Sequence, residues 1–194
     1  MHAREQNAEQ RQAFRVQIAA RSAADFVVVD ECGSNINLTP LYARAPRGER
    51  AIGVVPRNTP LNTTLIAALS VRGIGPSLIL PGATDGSAFE AYVRQMLVPV
   101  LLPGQIVVMD NLSAHHRPII RELIEACGCA VWFLPSYSPD LSPIEQAFAK
   151  LKAMLRRIGA RTLDDLSAAI ECALPTITAA DALAFFRHCG YALD

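Results

Sequence analysis

The sequence predicts a mixed α/β fold in which five strands form one sheet and helices cross over it. Two observations support this prediction. Short runs of apolar and β-branched residues alternate with longer segments in which apolar residues recur at helical spacing. Their order along the chain is strand, hairpin, helix, strand, helix, strand, and helical crossovers return a chain parallel to an earlier strand. The 194 residues are enough for one well-buried domain.

Five segments are predicted as strands because each is short, rich in β-forming residues and bounded by turn residues. The second and third segments meet at Arg72-Gly73, which is the pattern of a hairpin. The predicted strands are 26–30, 63–71, 74–80, 105–109 and 130–134.

Helices are predicted from the spacing of apolar residues and from capping residues. Residues 1–24 are rich in Gln, Arg and Ala and free of Gly and Pro, so we expect a polar helical connector to a missing N-terminal region. Residues 86–102 are expected to form a helix with Ser87 as its N-cap and Pro103-Gly104 as its stop. The chain is thus divided into a connector, 1–24, and an α/β domain, 25–194. Further helices are predicted near 118–126, from 143, near 162–174 and near 178–189.

Charge and composition exclude several classes of protein. Lys plus Arg equals Asp plus Glu, at 18 each, whereas proteins that only coat nucleic acid are usually strongly basic. The five cysteines lack paired CxxC spacing, so buried free thiols are expected rather than disulfides or a zinc site. No apolar run is long enough to span a membrane and no signal peptide is visible, so we expect a soluble, cytoplasmic protein.

Two stretches of this neutral chain are locally basic. Residues 42–72 hold five Arg against one Glu, and residues 150–161 hold five Lys or Arg and no acid. Such islands suit a surface that contacts phosphates, although ordinary solvated faces give the same pattern.

Two aspartates follow predicted strands. Asp30 and Asp110 each end a run of apolar, β-branched residues. If the two strands are parallel neighbours, the side chains lie about 5 Å apart at the carboxyl ends of the strands, where ligands of open α/β sheets gather. Carboxylates at that spacing suit two Mg²⁺ or Mn²⁺ ions, although Asp is also common after strands because it makes turns.

Glu145 begins a predicted amphipathic helix and has two interpretations. In a capping box, Ser142 is the N-cap, Pro143 is the first helical residue and Glu145 reaches back to a backbone amide. Alternatively, Glu145 shares one flank of the helix with Lys152 and Arg156, as a metal ligand continuing into a phosphate-binding track would. The core stripe of this helix is predicted to be Ile144, Phe148, Leu151, Leu155 and Ile158.

Polar residues just after Asp110 are further candidates. Asn111, His115 and His116 are close enough in sequence to touch a phosphate or an attacking water. Their spacing is not that of a known zinc site, so phosphate contact or packing at a helix start is favoured over metal binding. Trp132 lies within a predicted strand and is expected in the core.

Four sequence motifs together are typical of one family. They resemble the motifs of bacterial insertion-sequence transposases of family six-thirty, relatives of the Tc/mariner elements. The resemblance runs from about Phe26 to the carboxyl terminus, and the 34 residues from 111 to 144 that separate Asp110 from Glu145 match the family's spacing. The motifs are 28–31 (VVDE), 45–50 (APRGER), 107–115 (VVMDNLSAH) and 134–146 (LPSYSPDLSPIEQ).

The resemblance implies a fold, an activity and a set of residues. It implies a ribonuclease-H-like catalytic domain in which Asp30, Asp110 and Glu145 form an Asp-Asp-Glu triad that binds two Mg²⁺ or Mn²⁺ ions. The implied reaction is DNA cleavage and strand transfer on transposon ends and target DNA, carried out by a homodimer on DNA. The candidate DNA contacts are Arg44, Arg47, Arg50, Asn111, His115, Lys152 and Arg156.

This chain differs from the usual members of the family mainly in length. Its members usually carry helix-turn-helix modules ahead of the catalytic domain. We therefore expect either the second reading frame of a split gene, partnered with a separately encoded helix-turn-helix protein, or a truncated fragment. The alternatives of other classes are an inactive DNA-binding or dimerisation remnant and a stand-alone ribonuclease-H-like nuclease.

Overall fold

Five strands form one mixed sheet at the centre of the molecule. The computed structural model describes residues 6–57 and 62–193. The strands are β1 (Phe26–Ser34), β2 (Thr63–Ser70), β3 (Gly73–Pro81), β4 (Ile106–Met109) and β5 (Ala130–Phe133). Their order across the sheet is β3-β2-β1-β4-β5, with β1, β4 and β5 parallel and β2 antiparallel to both of its neighbours. This arrangement confirms the predicted five-stranded mixed sheet and its β2–β3 hairpin.

β1 is longer than predicted. It pairs with β4 only from Phe26 to Val28, but its antiparallel pairing with β2 continues to Ser34. The hairpin therefore keeps supplying backbone hydrogen bonds after the parallel neighbour has ended. The prediction that Asp30 ends its strand is wrong: Asp30 lies in the middle of β1, opposite Ala67, just beyond the last pair with β4.

Six helices surround the sheet in the described residues. The helix that begins at Gly86 was predicted to reach Leu102, but it passes through a π-turn (Val93–Leu97) and a 3₁₀ turn (Val98–Val100) and then ends. Pro99 in that last turn has no N–H to continue the helical bonding. The helices are α1 (Ala8–Ala19), α2 (Gly86–Tyr92), α3 (Pro118–Glu125), α4 (Pro143–Ile158), α5 (Leu163–Ala173) and α6 (Ala179–His188).

The helices cover both faces of the sheet. Alternate residues of β1 point to opposite faces, so Val28 joins the core formed with α1, α4, α5 and α6, and Val29 joins the core formed with α2 and α3. By the same alternation, Asp30 faces the α4 side and Glu31 faces the α2 side. α1 belongs to the first core through Phe14 and Ile18, which are both buried.

The core stripe of α4 is one residue shorter than predicted. Ile144, Phe148, Leu151 and Leu155 are buried, but Ile158 is 53% exposed. Ile158 is the last residue of the helix, before Gly159 in the left-handed conformation (φ 67°), and there the helix has run past the edge of the core. Gly suits this C-cap because it has no Cβ to clash.

Other predictions concern single residue types. The five cysteines are free; Cys32, Cys129 and Cys189 are buried as expected, whereas Cys127 is half-buried and Cys172 is exposed. Trp132 was expected in the core, but it is half-buried and packs edge-on against Phe14 and Phe26 at the rim of the first core. No single helix of the described residues is long and apolar enough to cross a membrane. The segments Leu163–Thr176 and Ala179–His188 reach that length and apolar composition only when taken together, and they are bent by 80° where they meet.

The N-cap of α2 is Asp85 rather than the predicted Ser87. Asp85 Oδ1 accepts hydrogen bonds from the backbone N–H groups of Ser87 (2.9 Å) and Ala88 (2.8 Å). We expect Asp85→Ala to lower the free energy of unfolding by about 1 kcal/mol, because two amides lose their acceptor. Ser87→Ala, the matched control, should change it by less than about 0.5 kcal/mol. Urea denaturation of both variants measures the two changes in the free energy of unfolding. Equal changes would contradict the assignment of Asp85 as the N-cap of α2.

Candidate active site

Three carboxylates line one cavity of about 410 Å³ beside the middle of the sheet. They are Asp30 from β1, Asp110 from the loop after β4 and Glu145 from the first turn of α4. The remaining walls come from the loop after β4 and from the segment that joins β5 to α4. Its other lining residues are Asn111, Leu112, Leu134, Pro135, Ser136, Tyr137, Ser138, Pro139 and Ser142.

The sheet brings the two aspartates together. Val28 of β1 is the parallel partner of Val108 of β4. Asp30 lies two residues after Val28, and Asp110 lies two residues after Val108. Each carboxylate also accepts a local backbone hydrogen bond: Glu31 N–H donates to Asp30 Oδ1 (2.7 Å), and Leu112 N–H donates to Asp110 Oδ1 (2.9 Å). The side chains are thus fixed by strand register on one side and by backbone amides on the other.

Glu145 is not used as a helix cap. Ser142 is the N-cap of α4 by its backbone, but no side-chain hydrogen bond caps the helix, and the buried Ser142 Oγ has no partner among the described residues. The predicted capping box is therefore not formed. The Glu145 side chain is exposed and makes no hydrogen bond or ion pair with another described residue, so it is available to a ligand in the cavity.

The carboxylates repel one another. Burial raises the pKa of Asp30 to about 7, the hydrogen bond from the Glu31 amide opposes this shift, and the negative charges of Asp110 and Glu145 add to it. Each carboxylate is therefore close enough to penalise a charge on Asp30. A bound cation would remove that penalty.

A buried histidine on the other side of β1 holds Asp110. The side chain of His115 is completely buried, and its Nδ1 lies 2.7 Å from Asp110 Oδ1 while its Nε2 lies 3.1 Å from Glu31 Oε2. The Phe89 ring covers the imidazole, with 4.2 Å between ring centroids. Residues 31, 110 and 115 thus form a line of acid, imidazole and acid, which we call the Glu31–His115–Asp110 line.

His115 and Asp110 are both ionised at neutral pH. Burial alone would lower the pKa of His115, but its contacts with Asp110 and Glu31 outweigh burial and raise the pKa to about 9. Burial alone would raise the pKa of Asp110, yet His115 and the Leu112 amide together hold it below its usual value. Asp110 is therefore held ionised, whereas Asp30 lies near its midpoint at pH 7.

The position of His115 corrects one prediction. A side chain with no exposed surface, paired at both ring nitrogens, is wrongly placed to contact a DNA backbone. Sequence reasoning also missed Glu31, because its partner His115 is 84 positions away along the chain. The only sequence signal was that Glu31 directly follows Asp30 and so must point to the opposite face of the strand.

Asn111 belongs to the cavity wall, and His116 lies beside it without lining the cavity. Asn111 Nδ2 donates to the Leu134 carbonyl, which ties the loop after β4 to the end of β5. Asn111 Oδ1 lies 3.3 Å from His116 Nε2, and the His116 ring stacks on Phe133 with 4.0 Å between centroids. Asn111 is exposed and lines the cavity, so it can still reach a substrate there.

None of the five predicted basic residues lines the cavity. The ammonium of Lys152 lies near the thiol of Cys32, where it opposes the rise in pKa that burial causes. Because Cys32 is two residues after Asp30 on β1, Lys152 lies beside this strand. Arg156 follows one turn further along α4 and is half-buried. Arg44, Arg47 and Arg50 are exposed on the segment 35–57, which has no helix or strand.

The donor set fits a hard divalent cation. Carboxylate oxygens are the ligands that Mg²⁺ and Mn²⁺ prefer, and the cavity offers three carboxylates that repel one another. Within residues 6–57 and 62–193, however, no group of three or more His, Cys, Asp or Glu side chains is arranged so that it could hold a metal ion. The chemistry of the three residues therefore fits the ion, but their present side-chain positions do not surround one point.

Comparisons with known proteins agree with this fold. Residues 25–167 match the family model of the DDE superfamily endonucleases. No curated protein matches the sequence. Among solved structures, the chain is similar to a Mos1 transposase paired-end complex with the left transposon end, at 16% identity and a TM-score of 0.77 over 98% of this chain and 62% of that one.

Two further Mos1 structures show the same likeness. A pre-cleavage Mos1 transpososome gives a TM-score of 0.70 at 15% identity over 97% of this chain and 60% of that chain. A Mos1 mariner paired-end complex with Mn gives a TM-score of 0.70 at 15% identity, over 98% of this chain and 62% of that chain. The chain thus spans about three fifths of the Mos1 chains that it matches. These matches confirm the ribonuclease-H-like fold, and because the family model covers most of the sequence, the chain belongs to the DDE superfamily of endonucleases.

Proposed function

We propose that this chain is the catalytic domain of an insertion-sequence transposase of family six-thirty, which cleaves DNA and joins it to a target. One observation carries the proposal: Asp30, Asp110 and Glu145 come from three separate elements and line one cavity. Burial raises the pKa of Asp30 to about 7, and the negative charges of Asp110 and Glu145 add to that shift. The motifs around these residues and the family match support the same activity.

The three carboxylates are proposed to hold two divalent ions. Asp30 lies on β1 and Asp110 directly follows β4, the parallel neighbour of β1, so the two aspartates would share the ions, and Glu145 would complete the site from α4. When bound, Mg²⁺ or Mn²⁺ supplies an activated water and neutralises charge on the phosphodiester. A Mos1 complex with Mn supports this use of divalent ions in a protein of the same fold.

The chain's own residues prepare the site. The Glu31–His115–Asp110 line keeps Asp110 ionised and limits its rotation. Asp30 holds a proton about half the time near pH 7 and must release it before it can act as a ligand. Glu145, which has no partner in the described residues, is the side chain that is free to turn toward the strands.

Metal affinity is expected to depend on pH through Asp30. Because its pKa is raised to about 7, apparent Mn²⁺ affinity should rise with pH below 7 and level off above it. The slope below pH 7 should approach about tenfold per pH unit. Calorimetric titration of Mn²⁺ between about pH 5.5 and 8.5 measures this dependence. A flat profile, or the same profile in Asp30→Asn, would contradict the assignment.

A positive track is proposed beside the cavity. Lys152 and Arg156 on α4, together with Arg44, Arg47 and Arg50 on the segment 35–57, would contact the DNA backbone, and Asn111 would contact DNA within the cavity. The two islands lie in a chain of zero net charge, so the positive potential is local.

Removing one of these cations should change the salt dependence of DNA binding. We expect Lys152→Ala to weaken binding to all DNA sequences alike and to reduce the slope of log affinity against log salt by about one unit. Lys150→Ala is the matched control, because Lys150 is engaged by Asp181 (2.6 Å) and the Thr176 carbonyl (3.0 Å). Fluorescence anisotropy over a salt series gives both slopes, and identical slopes for the two variants would remove Lys152 from the track.

The partners follow from the resemblance. We propose that the chain acts as a cytoplasmic, nucleoid-associated homodimer on transposon-end and target DNA. Residues 25–194 would form the catalytic domain, with α1 packed on it through Phe14 and Ile18, and a separately encoded helix-turn-helix protein would be its DNA-binding partner. The likeness to a Mos1 paired-end complex with the left transposon end supports DNA as the substrate class.

Cleavage of DNA tests this proposal. The chain, with the separately encoded DNA-binding protein added where one is found, should nick DNA that carries the element's terminal inverted repeats in Mg²⁺ or Mn²⁺ and not in EDTA. A folded chain that binds this DNA but never cuts it would indicate the inactive remnant. Faster cutting of RNA–DNA hybrids than of repeat-bearing DNA would indicate the stand-alone nuclease.

A further inference from the structure

A buried hydroxyl without a partner lies at the start of α4. Ser142 is only 1% exposed, and it lines the carboxylate cavity. Its Oγ has no hydrogen-bond partner among the described residues. Burying a hydroxyl without a partner costs free energy, and nearly all buried polar groups in native proteins are hydrogen-bonded. The hydroxyl is therefore available to a group that moves into the cavity.

Both backbone amides that a capping box would use are already engaged at this helix start. The Ser142 N–H donates to the Pro139 carbonyl (3.0 Å), and the Glu145 N–H donates to the Ser142 carbonyl (3.2 Å). In a capping box, the Glu145 carboxylate would accept from the first amide and the Ser142 hydroxyl from the second. The 3₁₀ turn Pro139–Leu141 and the first turn of α4 thus leave these two side chains without a partner among the described residues.

The backbone that carries Ser142 is fixed by contacts with distant parts of the chain. The Tyr191 hydroxyl donates to the carbonyl of Leu141, the preceding residue (3.2 Å). Gln6 Nε2 donates to the Tyr137 carbonyl (2.9 Å), and Tyr137 itself has a left-handed backbone, with φ 55°. Because the segment is held at these points, a shift of the loop does not bring the hydroxyl of Ser142 to solvent. We therefore expect its partner within the cavity.

We propose that Ser142 is a positioning residue for Glu145: its hydroxyl donates a hydrogen bond to the Glu145 carboxylate when that side chain turns toward the two aspartates to bind a divalent ion. This inference rests on the proposed function, because it requires a metal site in the cavity. Side chains three residues apart lie on the same side of a helix, and both of these line the cavity. A hydroxyl that donates to a carboxylate forms a short, charge-assisted hydrogen bond.

Such a hydrogen bond would strengthen metal binding without touching the metal. Glu145 is exposed and has no hydrogen bond or ion pair with another described residue. Holding its side chain in one rotamer before the ion binds reduces the conformational entropy that binding would cost. Groups that orient a metal ligand in this way typically contribute about 10- to 100-fold to metal affinity.

Replacing the hydroxyl separates this role from a capping role. Ser142→Ala should bind Mn²⁺ about tenfold more weakly than the parent. Without metal it should unfold at the same or a higher temperature, because it removes a buried hydroxyl that has no partner in the described residues. Ser142→Thr keeps the hydroxyl and should bind Mn²⁺ within about threefold of the parent. Calorimetric titration measures the affinity, and thermal unfolding without metal measures the stability.

A double-mutant cycle with Glu145→Ala shows whether Ser142 acts through Glu145. In a chain that already carries Glu145→Ala, adding Ser142→Ala should change the Mn²⁺ affinity by less than about twofold. Ser113→Ala is the matched control, because Ser113 is an exposed serine in the loop after β4 that does not line the cavity. It should bind Mn²⁺ like the parent.

The outcomes distinguish the role of Ser142 from the metal site itself. If Ser142→Ala binds Mn²⁺ like the parent while Asp110→Asn binds it far more weakly, the positioning role is overturned and the metal site stands. Equal losses from Ser142→Ala with and without the Glu145 carboxylate, or unfolding at a lower temperature without metal, would also overturn the positioning role. If Asp110→Asn binds Mn²⁺ as tightly as the parent, the cavity is not the metal site, and the proposed function fails together with this inference.

Discussion

Replacing Asp110 by asparagine is expected to lower metal-dependent DNA cleavage at least about 10³-fold while the chain stays folded. Asparagine keeps the size of the side chain and can still accept the Leu112 amide hydrogen bond (2.9 Å). It removes the negative charge that His115 holds in place at 2.7 Å. The loss should therefore appear in metal binding and cleavage rather than in the fold.

Two further variants make this experiment specific. Glu145→Gln should lose cleavage to a similar extent, because Glu145 has no structural partner in the described residues and lies in the same cavity. Asp140→Asn is the matched control: Asp140 is an acid on the same segment, but it is engaged by Arg11 and Arg15 and does not line the cavity. Gel assays of strand cleavage and circular dichroism would be measured together. An Asp110→Asn protein that cuts like the parent would remove Asp110 from the active site.

Replacing His115 by alanine is expected to have the largest effect on stability. It leaves the Glu31 carboxylate, only 12% exposed, without its partner at 3.1 Å, and it opens space under Phe89. Breaking a buried pair in this way typically costs about 3–5 kcal/mol, because one uncompensated charge remains. Denaturation at pH 7 measures the loss in the free energy of unfolding.

Neighbouring variants test the cause of that loss. Glu31→Gln added to His115→Ala should recover part of the stability, because the orphaned charge is removed. His116→Ala changes an adjacent, exposed histidine that stacks on Phe133 and should cost less than about 1 kcal/mol. If His115→Ala and His116→Ala were equally stable, the Glu31–His115–Asp110 line would have no structural role.

The pH dependence of stability follows from the same groups. The pKa of His115 rises from 6.5 to about 9 on folding, so its stabilisation is fully present below 6.5 and is lost as the pH rises through 9. The pKa of Asp30 also rises on folding, from 3.8 to about 7. Between pH 3.8 and about 7 the folded chain therefore binds a proton that the unfolded chain has released. Without metal, stability should therefore fall as pH increases from about 4 to 9, and His115→Ala should remove the upper part of that fall.

Much of the fold could be predicted from the sequence because its strands are simple. The runs at Phe26, Val107 and Val131 are short and β-rich, and the helices carry clear apolar stripes. The length of β1 could not be predicted, because residues 31–34 are polar or small and are strand only through pairing with β2. The π-turn Val93–Leu97 likewise has no local sequence signal, although Pro99 in the following 3₁₀ turn did indicate an earlier helix end than Leu102.

The site was predicted in part for similar reasons. Asp30 and Asp110 follow apolar runs, and Glu145 opens an amphipathic helix, so local patterns pointed to all three. The pairing of Glu31 with His115 and the left-handed backbone of Tyr137 have no local pattern. Both depend on contacts between segments that are far apart in the chain.

Crystals of the chain grown or soaked in Mn²⁺ would test the proposed metal site, because the anomalous scattering of manganese locates each ion. We expect two Mn²⁺ ions about 3.5–4 Å apart, bound by Asp30, Asp110 and Glu145, with Glu145 turned toward the strands. Manganese bound elsewhere, or a cavity in which Glu145 stays apart from both aspartates at saturating Mn²⁺, would contradict it.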